Sequence, residues 1–137
     1  MRQEKKILIV EDEALTTQMY KDAFEKRGYY LYAVKNKTDA LKKIKQEKPA
    51  MILLDLLIPT QDSVFEKFDF RTPIGLDVLK SVKQDPETKE TKVVVLTNLE
   101  NDQARLGAMS AGADDFIIKT ELTPSQVAER VIGLLEG

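Results

Sequence analysis

The stretch Met51-Ile52-Leu53-Leu54-Asp55 decides how this chain folds. Four apolar residues in a row end on one carboxylate, between Pro49 and Pro59. An unbroken apolar run of this length predicts a strand buried on both faces. The carboxylate directly after it lies where the strand leaves the core. In open α/β sheets ligands bind at that edge, outside the carboxyl ends of the strands. Asp55 is therefore either a solvated loop acid or the centre of a site, and the other strands must decide.

Three further runs resemble this one. Ile7-Leu8-Ile9-Val10 ends on Glu11, Asp12 and Glu13. Val93-Val94-Val95-Leu96 ends on Thr97 and Asn98, and Phe116-Ile117-Ile118 ends on Lys119. Tyr29 to Val34 reads as another strand, rich in aromatic and β-branched residues. Helical spacing fills the intervals. Leu15, Met19, Ala23 and Phe24 predict the inward face of a first helix, which Gly28 stops. Ala40, Leu41 and Ile44 mark a second, capped by Asn36 or Thr38, and Leu76, Val78 and Leu79 mark a third over Gly75–Gln84. Asn101 and Asp102 can cap a helix running to Ser110. Thr123, with Pro124 in the first turn, opens a last helix whose face is Val127, Ala128, Val131, Leu134 and Leu135. Five strands alternating with five helices, joined by short connections, predict a parallel sheet with helices on both faces.

Composition sets bounds. At 137 residues the chain is long enough for one domain with one real core, so residues 1–137 are expected to form a single domain. The net charge of −2 favours neither a nucleic-acid nor an anionic-membrane partner. The absence of cysteine excludes disulfides and thiolate metal sites, which suits the cytoplasm. The absence of histidine removes serine–histidine triads, imidazole metal ligands and a phosphohistidine within this chain. The charged start, with Arg2, Glu4, Lys5 and Lys6, fits neither a signal peptide nor a membrane span.

In a parallel sheet all strand carboxyl ends lie along one edge, so Glu11, Asp12, Asp55, Thr97 and Lys119 can converge. Carboxylates brought together repel one another unless a hard cation sits among them, and Mg²⁺ prefers carboxylate and water oxygens. An ammonium and a hydroxyl beside it can hold phosphoryl oxygens, and phosphoryl transfer needs chiefly positioning and charge neutralisation. Asp55 would then be the nucleophile and form an acyl phosphate. Each residue also has a plainer reading: Glu11 and Asp12 as helix-start acids, Thr97 as an N-cap, Lys119 as a surface lysine, Phe116 as core.

This order of features resembles the receiver domain of response regulators in two-component signalling. The matching residues are Glu11-Asp12, Asp55, Thr97 and Lys119, together with Ala111-Gly112-Ala113-Asp114-Asp115-Phe116 before the lysine. The resemblance implies a flavodoxin-like, doubly wound sheet. It implies that Asp55 accepts phosphate from a phosphohistidine on a partner histidine kinase. It implies Mg²⁺ held by Glu11, Asp12, Asp55 and the Leu57 main-chain carbonyl, and a phosphoryl group contacted by Thr97, Asn98 and Lys119. Thr97 and Phe116 would form a switch. A downstream protein, a phosphotransfer protein or a second copy of the chain would read the face made by the last strand and last two helices. Such a domain is not an enzyme with turnover on a diffusible substrate, and it works without direct contact to nucleic acid or membrane.

Three departures from the family pattern stand out. Thr120 follows Lys119 where the family commonly has proline, often in a cis bond, so a trans loop and a different turn are expected. Asn98 follows Thr97 where a small residue is usual, and Leu57 and Leu99 flank the site where some members carry polar groups. Apolar residues there predict slow loss of phosphate. Pro59 and Gly75 lie unusually far apart, with roughly a dozen residues inserted at about 60–73, a long connection for a compact domain. This insert holds Phe65, Phe68 and Phe70, three of the chain's five phenylalanines. It reads as a lid, a partner surface or an ordered flap on its own domain.

Other functions fit less well. Aspartyl-phosphate hydrolases on related sheets need a second acid two residues after the nucleophile, where this chain has Leu57. A flavin or nucleotide binder would want a glycine-rich loop after Ile7–Val10, and none is present. A degenerate receiver that binds partners without phosphorylation stays open through Asn98 and the insert, while Asp55, Thr97 and Lys119 speak against it.

Overall fold

The structure, a computed structural model, describes residues 5–61 and 73–137. Elements follow in the order β1 (Lys6–Val10), α1 (Ala14–Glu25), β2 (Tyr30–Val34), α2 (Lys37–Glu47), β3 (Met51–Leu54), α3 (Ile74–Gln84), β4 (Lys92–Thr97), α4 (Asp102–Ser110), β5 (Asp115–Ile118) and α5 (Pro124–Glu136). A single 3₁₀ turn, Lys119–Glu121, links β5 to α5. All strand pairs are parallel, in the order β2-β1-β3-β4-β5. This is the flavodoxin-like doubly wound sheet. The order reverses beside β1, so the loops after β1 and β3 open a crevice there.

Strand alternation divides the core into two layers. Ile7, Ile9, Met51, Leu53, Val94, Leu96 and Ile117 pack with α1 and α5. Leu8, Val10, Ile52, Leu54, Val93, Val95, Phe116 and Ile118 pack with α2, α3 and α4. Both faces of β3 are buried, as its unbroken apolar run requires.

The helix starts follow the predicted chemistry. Asn36 rather than Thr38 caps α2, accepting from Asp39 N at 2.8 Å. Asn101 caps α4, and Thr123 closes a capping box with Gln126 ahead of α5, with Pro124 in its first turn. Gly28, at φ +83°, turns the chain three residues beyond α1.

The inward side of α1 keeps Ala23 and Phe24 of the predicted face but not Leu15 and Met19. Leu15 is 83% exposed and Met19 51% exposed, so neither belongs to the inward side of α1. Tyr20, Ala23 and Phe24 form that side. Tyr20 takes the inner position, where its ring contributes as much burial as an aliphatic side chain. The helix is rotated accordingly, and Leu15 and Met19 are left on the surface. Of the insert, Thr60, Gln61 and Pro73 are described, whereas Phe65, Phe68 and Phe70 lie outside the described residues.

Candidate functional site

The strand ends meet in a small hydrogen-bonded group. Asp55 follows β3, and its amide donates to the Val10 carbonyl at 3.1 Å, holding it against β1. Its Oδ1 accepts from the Thr97 hydroxyl at 2.8 Å and from Leu57 N at 2.9 Å. Its Oδ2 accepts from Lys119 Nζ at 2.8 Å. Lys119 also bonds Glu11 Oε1, while Glu11 Oε2 accepts from Glu13 N at 3.0 Å. The Thr97 hydroxyl oxygen in turn accepts from Leu99 N at 3.2 Å.

The group is nearly dry. Glu11 is 1% and Asp55 7% exposed, and Thr97 is fully buried. Burial and the neighbouring Asp55 charge push the Glu11 carboxyl above its ordinary range, against the pull of Lys119. Burial lowers the proton affinity of Lys119, yet the charges of Asp55 and Glu11 and its bonds to both outweigh that and hold it above the usual lysine range. One ammonium thus serves two carboxylates and leaves a surplus of negative charge.

That surplus bears on a metal. Glu11, Asp12 and Asp55 supply the hard oxygen donors a divalent cation takes. Asp12 is half-buried directly after Glu11. The donor set therefore fits such an ion. Among the described residues no three acids already form a cage, and Lys119 holds Glu11 and Asp55 together instead.

The structure brings Glu11, Asp55, Thr97 and Lys119 together. Asn98 is exposed and makes no hydrogen bond to Asp55. Phe116 lies inward, 3% exposed, with the Arg105 guanidinium 4.9 Å from its ring centre. The Lys119–Thr120 bond is trans, as expected without proline, and Lys119–Glu121 form a 3₁₀ turn. Leu57 is half-buried, and Leu99 is part of the core beneath α4.

Sequence reasoning missed two kinds of group. The Leu57 and Leu99 amides are main-chain donors, so no side chain announces them. Gly75 is the other. A Cβ there would stand 2.4 Å from the Asp55 carbonyl oxygen and 2.5 Å from Leu56 Cα. Its amide donates to the Leu56 carbonyl at 2.9 Å. The start of α3 is thereby seated on the backbone that carries Asp55. The glycine was visible, but its contact was not.

The family model of the response regulator receiver domain matches residues 7–132. The chain belongs to the response-regulator receiver family. The receiver is 32% identical over 127 residues to the chemotaxis protein CheY of Thermotoga maritima, covering 91% of this chain and 92% of CheY. It is 30% identical over 132 residues to the transcriptional regulatory protein ResD of Bacillus subtilis, covering 96% of this chain and 48% of ResD. The receiver spans about half the length of ResD and of the other transcriptional regulators it matches. Its fold superposes on the crystal structure of the phosphorylated cyanobacterial phytochrome response regulator RcpA with a TM-score of 0.75, at 27% identity, covering 96% of this chain and 91% of that one. No helix among the described residues is long and apolar enough to cross a membrane.

Proposed function

We propose that this receiver is phosphorylated on Asp55 by a phosphohistidine of a partner histidine kinase and so acts as a signalling switch or phosphate relay. The observation that carries this is the convergence of the Thr97 hydroxyl and the Lys119 ammonium on the two oxygens of one buried carboxylate, each at 2.8 Å.

The step is a displacement at phosphorus. A carboxylate oxygen of Asp55 attacks, an O–P bond forms, and the N–P bond of the phosphohistidine breaks. The imidazole leaves with the electron pair and takes up a proton. Lys119 and Thr97, both at hydrogen-bonding distance from the carboxylate, are positioned to pass to the oxygens of the arriving phosphoryl group. Asn98 would reach the same group from the surface. Glu11, Asp12, Asp55 and the Leu57 carbonyl would hold Mg²⁺, which when bound supplies neutralisation of charge on the carboxylates and the phosphoryl group. Members of the family typically bind a divalent metal at this acidic pocket.

Phosphorylation re-aims Thr97, and Phe116 on the neighbouring strand follows. The partner, whether a downstream protein, a phosphotransfer protein or a second copy of the receiver, reads the face of α4, β5 and α5. The receiver promotes its own phosphorylation and turns over no diffusible substrate. Residues 1–137 act as one domain, with about 60–73 an insertion in sequence relative to the family pattern. Incubation with acetyl phosphate and Mg²⁺, followed by intact-mass measurement, tests the reading. One added phosphoryl group, absent in Asp55→Asn, supports it. No mass gain at any Mg²⁺ concentration leaves the receiver as a phosphorylation-independent binding module.

A further inference from the structure

The Phe116 ring of β5 is buried, although open space adjoins it. A hollow of about 370 Å³ lies between the start of α4 and the end of β5. Phe116 and Ile118 supply its apolar lining, and Glu100, Asp102, Arg105 and Glu121 supply charge. A ring turned outward would find room there.

Two features favour the inward ring. One is space beneath α4. The buried residues of that helix are Ala104 and Ala108, which share the core with Phe116 and leave room for its ring. A phenyl ring has no hydroxyl to offer water, so turning outward would expose apolar surface alone. The other is Arg105. Its guanidinium carbon lies 4.9 Å from the ring centre, inside the limit of about 6 Å for attraction between a cation and an aromatic face. Arg105 is exposed and three carboxylates line the same hollow. Among the described residues it forms an ion pair with none of Glu100, Asp102 and Glu121. Its charge rests on the ring instead.

The ring position bears on Thr97. In the β4–β5 register Phe116 pairs with Val95, and Ile118 with Thr97. Val95 and Thr97 alternate onto one face of β4, which makes Phe116 the diagonal neighbour of Thr97. The Thr97 hydroxyl donates to Asp55 at 2.8 Å while the ring is inward.

We infer that Arg105 is a positioning residue for the switch. Its guanidinium holds the Phe116 ring inward before any phosphoryl transfer and so sets the ratio of inward to outward ring from which the switch starts. The inference rests on the reading of Thr97 and Phe116 as the switch, but ring position can be measured without phosphate.

The test is ¹⁹F saturation transfer on the unphosphorylated protein labelled with 4-fluorophenylalanine. Of the five phenylalanine signals, that of Phe116 is the one lost in Phe116→Leu. The signal of Phe24, fully buried under α1 and assigned through Phe24→Leu, reports that each variant is folded. Arg105→Gln should raise the outward-to-inward ratio about two- to fivefold, the equivalent of an exposed cation–aromatic contact. Arg105→Lys, which keeps a cation beside the ring, should stay closer to the wild type than Arg105→Gln. An unchanged ratio in Arg105→Gln overturns the inference, as does an equal rise in both variants or an outward ring detected in none. Acetyl phosphate labelling of the wild type, run alongside, reports on Asp55 alone. Labelling with an unchanged ratio removes only the role of Arg105. A raised ratio without labelling upholds that role and removes only the phosphorylation of Asp55.

Discussion

Lys119 Nζ lies 2.8 Å from Asp55 Oδ2 and bonds Glu11 at the same time. The side chains of Lys119 and Asp55 are 9% and 8% exposed, so the pair sits inside the protein rather than on it. Lys119 is thus both a candidate phosphoryl contact and the counter-ion that lets two acids be buried together.

Removing that counter-ion should be costly. Lys119→Gln leaves Glu11 and Asp55 facing each other with no ammonium between them. Breaking a buried pair in this way costs about 3 kcal/mol. Urea unfolding should register the loss, and Mg²⁺ should restore more stability to the variant than it adds to the wild type. Equal stability of both proteins without Mg²⁺ would show that Lys119 is not the counter-ion.

Glu11 should destabilise the fold at neutral pH. Its folded-state carboxyl holds a proton more tightly than its ordinary value of 4.5, because of burial and the Asp55 charge. Between 4.5 and that raised value the native state binds more protons than the unfolded chain. Stability therefore falls as pH rises through this window. Glu11→Gln lacks the slope. It should melt above the wild type at pH 7, the difference should shrink on acidification, and Mg²⁺ affinity should drop. Parallel stability–pH curves for the two proteins would count against this account.

Gly75→Ala should disturb the site without touching its side chains. The new methyl meets backbone, not a flexible side-chain end, so α3 must move away from Asp55 and Leu56. Overpacking of this kind costs roughly 1–3 kcal/mol. Thermal melting should show the loss, and phosphorylation by acetyl phosphate should slow with it. A variant with wild-type stability and rate would mean that the start of α3 does not fix the Asp55 backbone.

The lifetime of the phosphorylated form should be long and controlled by Leu57. Leu57 and Leu99 both flank the site, but Leu99 is a core residue, so a polar group there would unfold as much as it would hydrate. Leu57 is half-buried and its amide touches Asp55, which makes it the cleaner probe. Leu57→Asn should shorten the half-life several-fold by positioning a water, an effect well below the roughly 10²–10⁴-fold of full general acid–base catalysis. Unchanged decay would remove Leu57 from the explanation.

Much of this was legible in the sequence, for physical reasons. Runs such as Met51–Leu54 and Val93–Leu96 are apolar on both faces, and only a covered parallel sheet buries both. Parallel strands then force Glu11, Asp55, Thr97 and Lys119 to one edge. What stayed hidden depends on rotation and on main chain. The inward side of α1 turns on whether Tyr20 or Met19 faces the sheet, which periodicity alone leaves within one residue. The amides of Leu57 and Leu99 carry no side-chain signature. Gly75 is informative only once the Asp55 carbonyl is seen beside it. The insert drew notice through its length and its phenylalanines, and those residues lie outside the described part of the chain.

The most direct test of the central claim is peptide mapping of the receiver after reaction with acetyl phosphate and Mg²⁺, with borohydride trapping of the acyl phosphate. The account predicts a single modified residue, Asp55, with labelling lost in Asp55→Asn and strongly reduced in Lys119→Gln. Labelling at another acid, or equal labelling of Asp55→Asn, would contradict it.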